Sequence, residues 1–264
     1  MMKRIRIIYL LLMFFVFMVV ACFPQPEFDE EYAGKRLNAV GYKSPDWWAT
    51  LDSIINEYPT EAWANYRKGL ALIRDDNYIE GISYLEKSAE LDPYRYANYT
   101  GVIKLDLGDY EGAIEHFKTS IRLKNHIDII VQGSAYERMA LAYKEMENYE
   151  KAIETFDTYI NKFGEDDVYL YTFMHRGIAK VETGDLEGAM ADFDTIIRKW
   201  DKCPEAYYQK GLLYHHKGDN VLACKQFKKS LLYKNYIRSN PSSAYVDQLY
   251  LSDIERMFDV CCGK

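Results

Sequence analysis

Gly177-Ile-Ala-Lys-Val-Glu-Thr-Gly-Asp-Leu-Glu-Gly-Ala189-Met-Ala-Asp-Phe193 is the stretch on which the fold turns. A small residue is followed by a Gly-Asp turn signal, then by a second small residue twelve positions after the first. A large aromatic comes four positions later. The same set recurs as Gly69, Gly81 and Leu85; Gly101, Ala113 and Phe117; Ala140, Ala152 and Phe156; and Gly211, Ala223 and Phe227. Apolar residues at helical period flank each set, so each predicts two helices joined by a tight turn. Gly108-Asp109, Gly184-Asp185 and Gly218-Asp219 punctuate three of the turns. Two antiparallel helices approach closely only where neither carries bulk, so the paired small residues mark the crossing. The residue one turn further along lies on the same face and fills the space beside it.

The second helices open with Tyr78-Ile-Glu-Gly81, Tyr110-Glu-Gly-Ala113, Tyr149-Glu-Lys-Ala152, Leu186-Glu-Gly-Ala189 and Asn220-Val-Leu-Ala223. This pattern resembles the tetratricopeptide repeat, with small residues at positions 8 and 20 and a large one at 24. The segments are 62–95, 94–127, 133–166, 170–203 and 204–237. The resemblance implies an all-α protein, a right-handed α-solenoid of five helix–turn–helix repeats. Equivalent positions are spaced 32, 39, 37 and 34 residues apart, against about 34 in the regular repeat. Insertions are therefore expected near 125–132 and 164–169, with a kink in the superhelix there. Repeat 1 has Asn65 where a large residue belongs.

The resemblance also points to the concave surface, lined by the first helix of each repeat, as the place where partners bind. Position 5 supplies Tyr66, Asn98, Glu137, Met174 and Tyr208. Position 9 supplies an aliphatic row, Leu70, Val102, Leu141, Ile178 and Leu212. Position 13 supplies Asp106, Glu145, Glu182 and His216, with Arg74 in repeat 1. The Lys and Asn clamp with which chaperone-binding relatives hold a terminal carboxylate is absent. The groove is instead expected to take amphipathic, basic peptide segments.

The N-terminus reads as a leader. Lys3, Arg4 and Arg6 precede the apolar run Ile7–Val20, and Val19-Val20-Ala21-Cys22 resembles the lipobox of bacterial lipoproteins. Residues 1–21 are thus expected to be a signal peptide and Cys22 the lipidated first residue. Secretion after Ala21, or an uncleaved anchor, are the alternatives. Residues 22–44 read as an acidic, Pro-containing tether. Residues 45–61 read as a helix with Ser44 at its N-cap, the remnant of a degenerate repeat that extends back to residues 30–40. At the far end, 238–264 reads as a capping segment with a helix over 242–260, since a solenoid must cover its last stacking face.

Without its leader the chain carries 30 basic and 40 acidic groups, which argues against nucleic acid as a partner. An exported chain meets oxidising conditions. The capping helix runs back antiparallel to the second helix of repeat 5, which brings Cys224 to Cys261 or Cys262 and leaves Cys203 at the opposite end. No cofactor, metal site or catalytic residue is expected: P-loop, HExxH, nucleophile-elbow and dinucleotide signatures are missing. His215 and His216 point about 100° apart on one helix and cannot easily share an ion. The expectation is a non-enzymatic scaffold for envelope proteins or peptide segments, held at a bacterial membrane by its N-terminal lipid and facing the periplasm from the outer membrane. The setting implied is an outer-membrane assembly or secretion complex. The alternative is a solute-binding accessory lipoprotein of a transporter, its cavity closed around an apolar ligand.

Overall fold

The computed structural model describes residues 27–123, 129–236 and 251–263. Among these it holds thirteen α-helices and no strand. Five helix pairs follow the repeat: α3 (Ala62–Ile73) with α4 (Tyr78–Leu91), α5 (Pro93–Asp106) with α6 (Tyr110–Leu123), α7 (Ile129–Glu145) with α8 (Tyr149–Phe163), α9 (Leu170–Glu182) with α10 (Leu186–Lys199), and α11 (Pro204–His216) with α12 (Asn220–Leu232). Two helices precede them, α1 (Glu30–Asn38) and α2 (Pro45–Glu57), and one follows, α13 (Leu251–Cys262). Each helix packs on the next, and the first helices of repeats 2, 3 and 4 also touch one another. The molecule is an α-solenoid.

The repeated residues carry the packing. Phe117, Phe156, Phe193 and Phe227 are fully buried, as are Ala113, Ala152, Ala189 and Ala223. The aromatic sits directly on the small residue of the first helix: a Cβ at Gly211 would lie 2.5 Å from the Phe227 ring. Glycine is therefore needed there to admit the ring. The turns need left-handed backbone at one position. Gly108, Gly184 and Gly218 supply it, while Asp76 (φ 60°) and Glu147 (φ 57°) adopt it in repeats 1 and 3. The next residue caps the second helix: Asp109, Asn148, Asp185 and Asp219 each accept a hydrogen bond from the backbone N–H three residues on.

The unequal spacing has local causes. Asp92 ends α4 and also caps α5, accepting from the Arg95 N–H at 3.0 Å, with Pro93 as the first helical residue. Sharing one residue between two helices shortens the step from repeat 1 to repeat 2. Part of the next insertion lengthens α7 to 17 residues; residues 124–128 lie outside the described residues. In the 164–169 insertion Val168 is buried, Asp166 accepts from Lys199 at 2.6 Å, and Glu165 accepts from Arg198 at 3.3 Å. That loop is pinned to α10.

Residues 22–44 are not a tether throughout. Asp29 caps α1 by accepting from the Tyr32 N–H at 2.9 Å, and Ala33 and Leu37 bury against Trp47, Leu51, Ile54, Ala64 and Ala71. Arg36 binds Glu57 at 2.7 Å. An acidic composition hid two apolar positions four apart, enough to seat one helix face. Ser44 caps α2, accepting from the Trp47 N–H at 3.1 Å. Together α1 and α2 cover the first face of the solenoid, with Phe28 edge-on to Tyr58.

At the other end α13 packs on α12 with Ile254 fully buried. A disulfide joins Cys224 to Cys262, Cα atoms 5.0 Å apart, while Cys203 is free and buried and Cys261 is free. The 242–250 part of the expected capping helix lies outside the described residues, as do the leader and Cys22. No helix among the described residues is long and apolar enough to cross a membrane.

Candidate functional site

The concave surface is built from the first helix of each repeat, and its residues meet different fates. In repeat 1, Tyr66 packs against Tyr96 and Tyr99 of α5, the first helix of the next repeat, centroids 4.7 and 5.7 Å away. Leu70 is half-buried. In repeat 2, Asn98 is buried and its Oδ1 lacks a hydrogen-bond partner, Val102 packs in the cluster around Phe117, and Asp106 is exposed.

Repeat 3 is more closed. Leu141 is 6% exposed and packs with Ala140, Ala152, Phe156 and Ala179. Glu145 accepts from Lys144 at 3.0 Å. Glu137 is tucked between α7 and α9, where it accepts from the Thr172 hydroxyl at 3.3 Å. Burial pushes its carboxyl up to about 6, against the weaker opposing effects of that hydrogen bond and of Arg138. On α9, His175 stacks on Phe156 of α8, is 3% exposed, and has an Nδ1 without a partner. Burial, with the nearby Lys144 charge, holds its imidazole down at about 3. Repeats 3 and 4 thus hold a partly buried carboxyl and a buried imidazole that both favour the uncharged form.

In repeat 4 Met174 is 3% exposed and belongs to the core around Phe193. In repeat 5 Tyr208 faces Asp253 and Arg256 of α13, its ring 5.7 Å from Phe227. Leu141, Met174 and Asn98 therefore serve packing between helices, and Tyr208 is taken by the capping helix. In a solenoid the first helix of each repeat leans on the next, and position 5 points into that seam as readily as into the groove.

Four of the expected residues do converge. Ile178 and Glu182 of α9 and Leu212 and His216 of α11 line a cleft of about 740 Å³ between repeats 4 and 5. Val181, Leu186, Gln209 and Leu213 complete its walls, with Thr183 and Gly184 at one edge. Its floor is aliphatic, and Glu182 and His216 are exposed at its rim. Val181, Leu186, Gln209 and Leu213 were not anticipated. The signal for Leu186 was present: repeats 1 to 3 open their second helix with Tyr78, Tyr110 and Tyr149, and a shorter leucine leaves room here. Such a cleft can desolvate one or two apolar side chains of a visiting segment, each contributing about 1.5–3 kcal/mol.

The remaining thiols divide by surroundings. Burial, reinforced by Glu205, pushes the Cys203 thiol up to about 12, so it stays protonated. Cys261 Sγ lies 3.3 Å from His215 Nδ1, which is 2.8 Å from Asn220 Oδ1. Among the described residues no three His, Cys, Asp or Glu side chains sit where one metal ion could be held.

Models of the tetratricopeptide repeat match residues 64–95 and 101–126, 134–166, and 175–244, together more than half of the chain. A TPR repeat-containing protein of Methanocaldococcus jannaschii is 27% identical over 175 residues, which is 63% of this chain and 30% of that protein. The chain thus spans less than a third of the length of this relative. The crystal structure of MamA superposes with a TM-score of 0.55 at 23% identity, over 63% of this chain and 94% of that one. A MamA fragment from Desulfovibrio magneticus gives 0.57 at 17% identity, over 67% and 97%. YrrB, described as a TPR protein with an unusual peptide-binding site, gives 0.55 at 17% identity, over 70% and 93%. These likenesses are of fold, and they join the matched repeats and the five helix pairs in one conclusion: the chain belongs to the tetratricopeptide-repeat proteins.

Proposed function

We propose that this protein is a non-enzymatic interaction scaffold that seats a segment of a partner protein in the cleft between repeats 4 and 5. The convergence of Ile178, Leu212 and Leu213 beneath an exposed Glu182 carries the reading. Apolar side chains of the partner supply most of the affinity there, and a basic residue beside Glu182 sets orientation and on-rate. The cleft opens to solvent, which favours a peptide over the small apolar solute of a transporter subunit. The peptide-binding site named for YrrB supports the same class of ligand. We place the scaffold at the bacterial envelope, lipidated at Cys22 and facing the periplasm from the outer membrane within an assembly or secretion complex. The basic start, apolar run and Ala21-Cys22 junction support that placement.

Crosslinking in intact cells tests both parts. The double variant Ile178→Asp with Leu212→Asp should lose partners that the Glu154→Ala variant, on an exposed position of α8, retains, with both variants checked for helical content. Leu141→Asp is unsuitable because that side chain is buried. Cys22→Ser should leave the membrane fraction. A full partner set in the cleft variant would reject the cleft, and membrane retention of Cys22→Ser with unchanged lipid labelling would reject the anchor.

A further inference from the structure

Along most of the solenoid, basic side chains are paired with carboxylates: Lys68 with Asp52, Lys104 with Glu86 and Asp109, Arg176 with Asp157 and Asp192, Lys210 with Asp194. Helix α12 breaks this habit. Between Asn220 and Val246 the sequence has five basic residues and no acidic one, in a chain with formal charge −7. Lys225, Lys228, Lys229 and Lys234 are exposed, and no carboxylate among the described residues comes within ion-pair distance of them. Lys229 makes a different contact, its ammonium 4.9 Å from the centre of the Tyr207 ring.

The apolar residues beside these lysines are as unusual. Val221 is 81% exposed, Leu232 72% and Tyr236 46%. Val221, Lys225, Lys228 and Leu232 follow the i, i+4, i+7, i+11 spacing, so they form one narrow stripe along α12. Helices α11 and α13 pack on its other sides. The outer face is therefore a strip of lysines with an exposed aliphatic side chain at each end.

We propose that this face of α12 rests on an anionic lipid surface. Lysines hold phosphate headgroups while their methylene stems, with Val221 and Leu232, lie against the acyl boundary. Each lysine brought to an anionic surface strengthens association about fivefold, and salt weakens it. An acidic protein would satisfy the lysines but gives Val221 and Leu232 no cavity to fill. The contact is independent of the segment around Cys22 and would fix which side of the solenoid turns to the bilayer.

The test is amine-acylation footprinting of the full chain on phosphatidylcholine vesicles and on vesicles with about a third phosphatidylglycerol. Because each lysine is read separately, membrane attachment by the N-terminal apolar run does not obscure the result. Acylation of Lys225, Lys228, Lys229 and Lys234 should slow about fivefold on the anionic vesicles and recover in high salt. Exposed Lys87 and Lys118, on α4 and α6, should label equally on both. Val221→Ser with Leu232→Ser should lose part of the protection while keeping wild-type helicity. Equal labelling of the four lysines on both vesicles would overturn the proposal, as would equal slowing at Lys87 and Lys118. Protection by soluble polyglutamate as strong as that by vesicles would reassign the face to an acidic protein and overturn the lipid reading.

Discussion

Glu137 offers a perturbation whose size and sign follow from the seam between repeats 3 and 4. Its carboxyl is shifted from 4.5 to about 6, chiefly by burial against α9. The folded chain therefore holds this proton more tightly than the unfolded chain. Stability is fully present below about pH 4.5 and is lost as pH rises through 6, because the unfolded state ionises first. At 1.36 kcal/mol per pKa unit, the shift amounts to about 2 kcal/mol at neutral pH. Glu137→Gln keeps the shape and an acceptor for the Thr172 hydroxyl but cannot ionise. The variant should be more stable than wild type by about 2 kcal/mol above pH 6, and the advantage should vanish below pH 4.5. Urea unfolding of both proteins across this range, with hydrogen exchange localising the gain to α7–α9, measures the difference. His175 acts in the opposite sense: its imidazole stays neutral down to about 3, so its stability is lost as pH falls from 6.5 toward that value. Both proteins carry it, so it cancels in the difference. A difference that is flat with pH, or a glutamine variant less stable at neutral pH, would refute the argument.

Two further outcomes are expected. Glu147 holds φ 57° at the turn position where repeats 2, 4 and 5 have glycine, so Glu147→Gly should raise stability by about 1 kcal/mol and Gly184→Glu should lower it similarly; denaturant midpoints check both, and a loss on Glu147→Gly would mean the turn is not under strain. Cys262→Ser opens a bridge between residues 38 apart in sequence, which should cost about 4 kcal/mol and free α13 for proteolysis. Reductant should bring the wild type to the same state, and protease resistance equal to the oxidised wild type would count against it.

How much was legible in the sequence varied with the range of the forces involved. The helix pairs, the turns and the buried aromatics were readable because they depend on contacts twelve to sixteen residues apart, and the pattern repeats five times. Gly211 and Phe227 or Gly177 and Phe193 needed no distant partner to be understood. The return of Cys261 and Cys262 to the neighbourhood of Cys224 was readable as well, since helix length and direction alone bring the chain end there, while the choice of Cys262 came from the structure. Helix α1 was harder to read, because its seat rests on Ala33 and Leu37 meeting Trp47 and Leu51, and its charged residues dominate the composition.

The groove was decided by tertiary structure. Positions 5 and 9 have the same periodicity in every repeat, yet Leu141 and Met174 are buried while Ile178 and Leu212 face a cleft. The difference comes from how far each first helix leans on its neighbour. That in turn depends on loop lengths and on the side chains that open each second helix, such as Leu186 where repeats 1 to 3 carry tyrosine. Likewise the lysines of α12 were visible as composition, but their lack of carboxylate partners among the described residues was not. Pairing is settled by which helices stack side by side, and that is a property of the assembled solenoid.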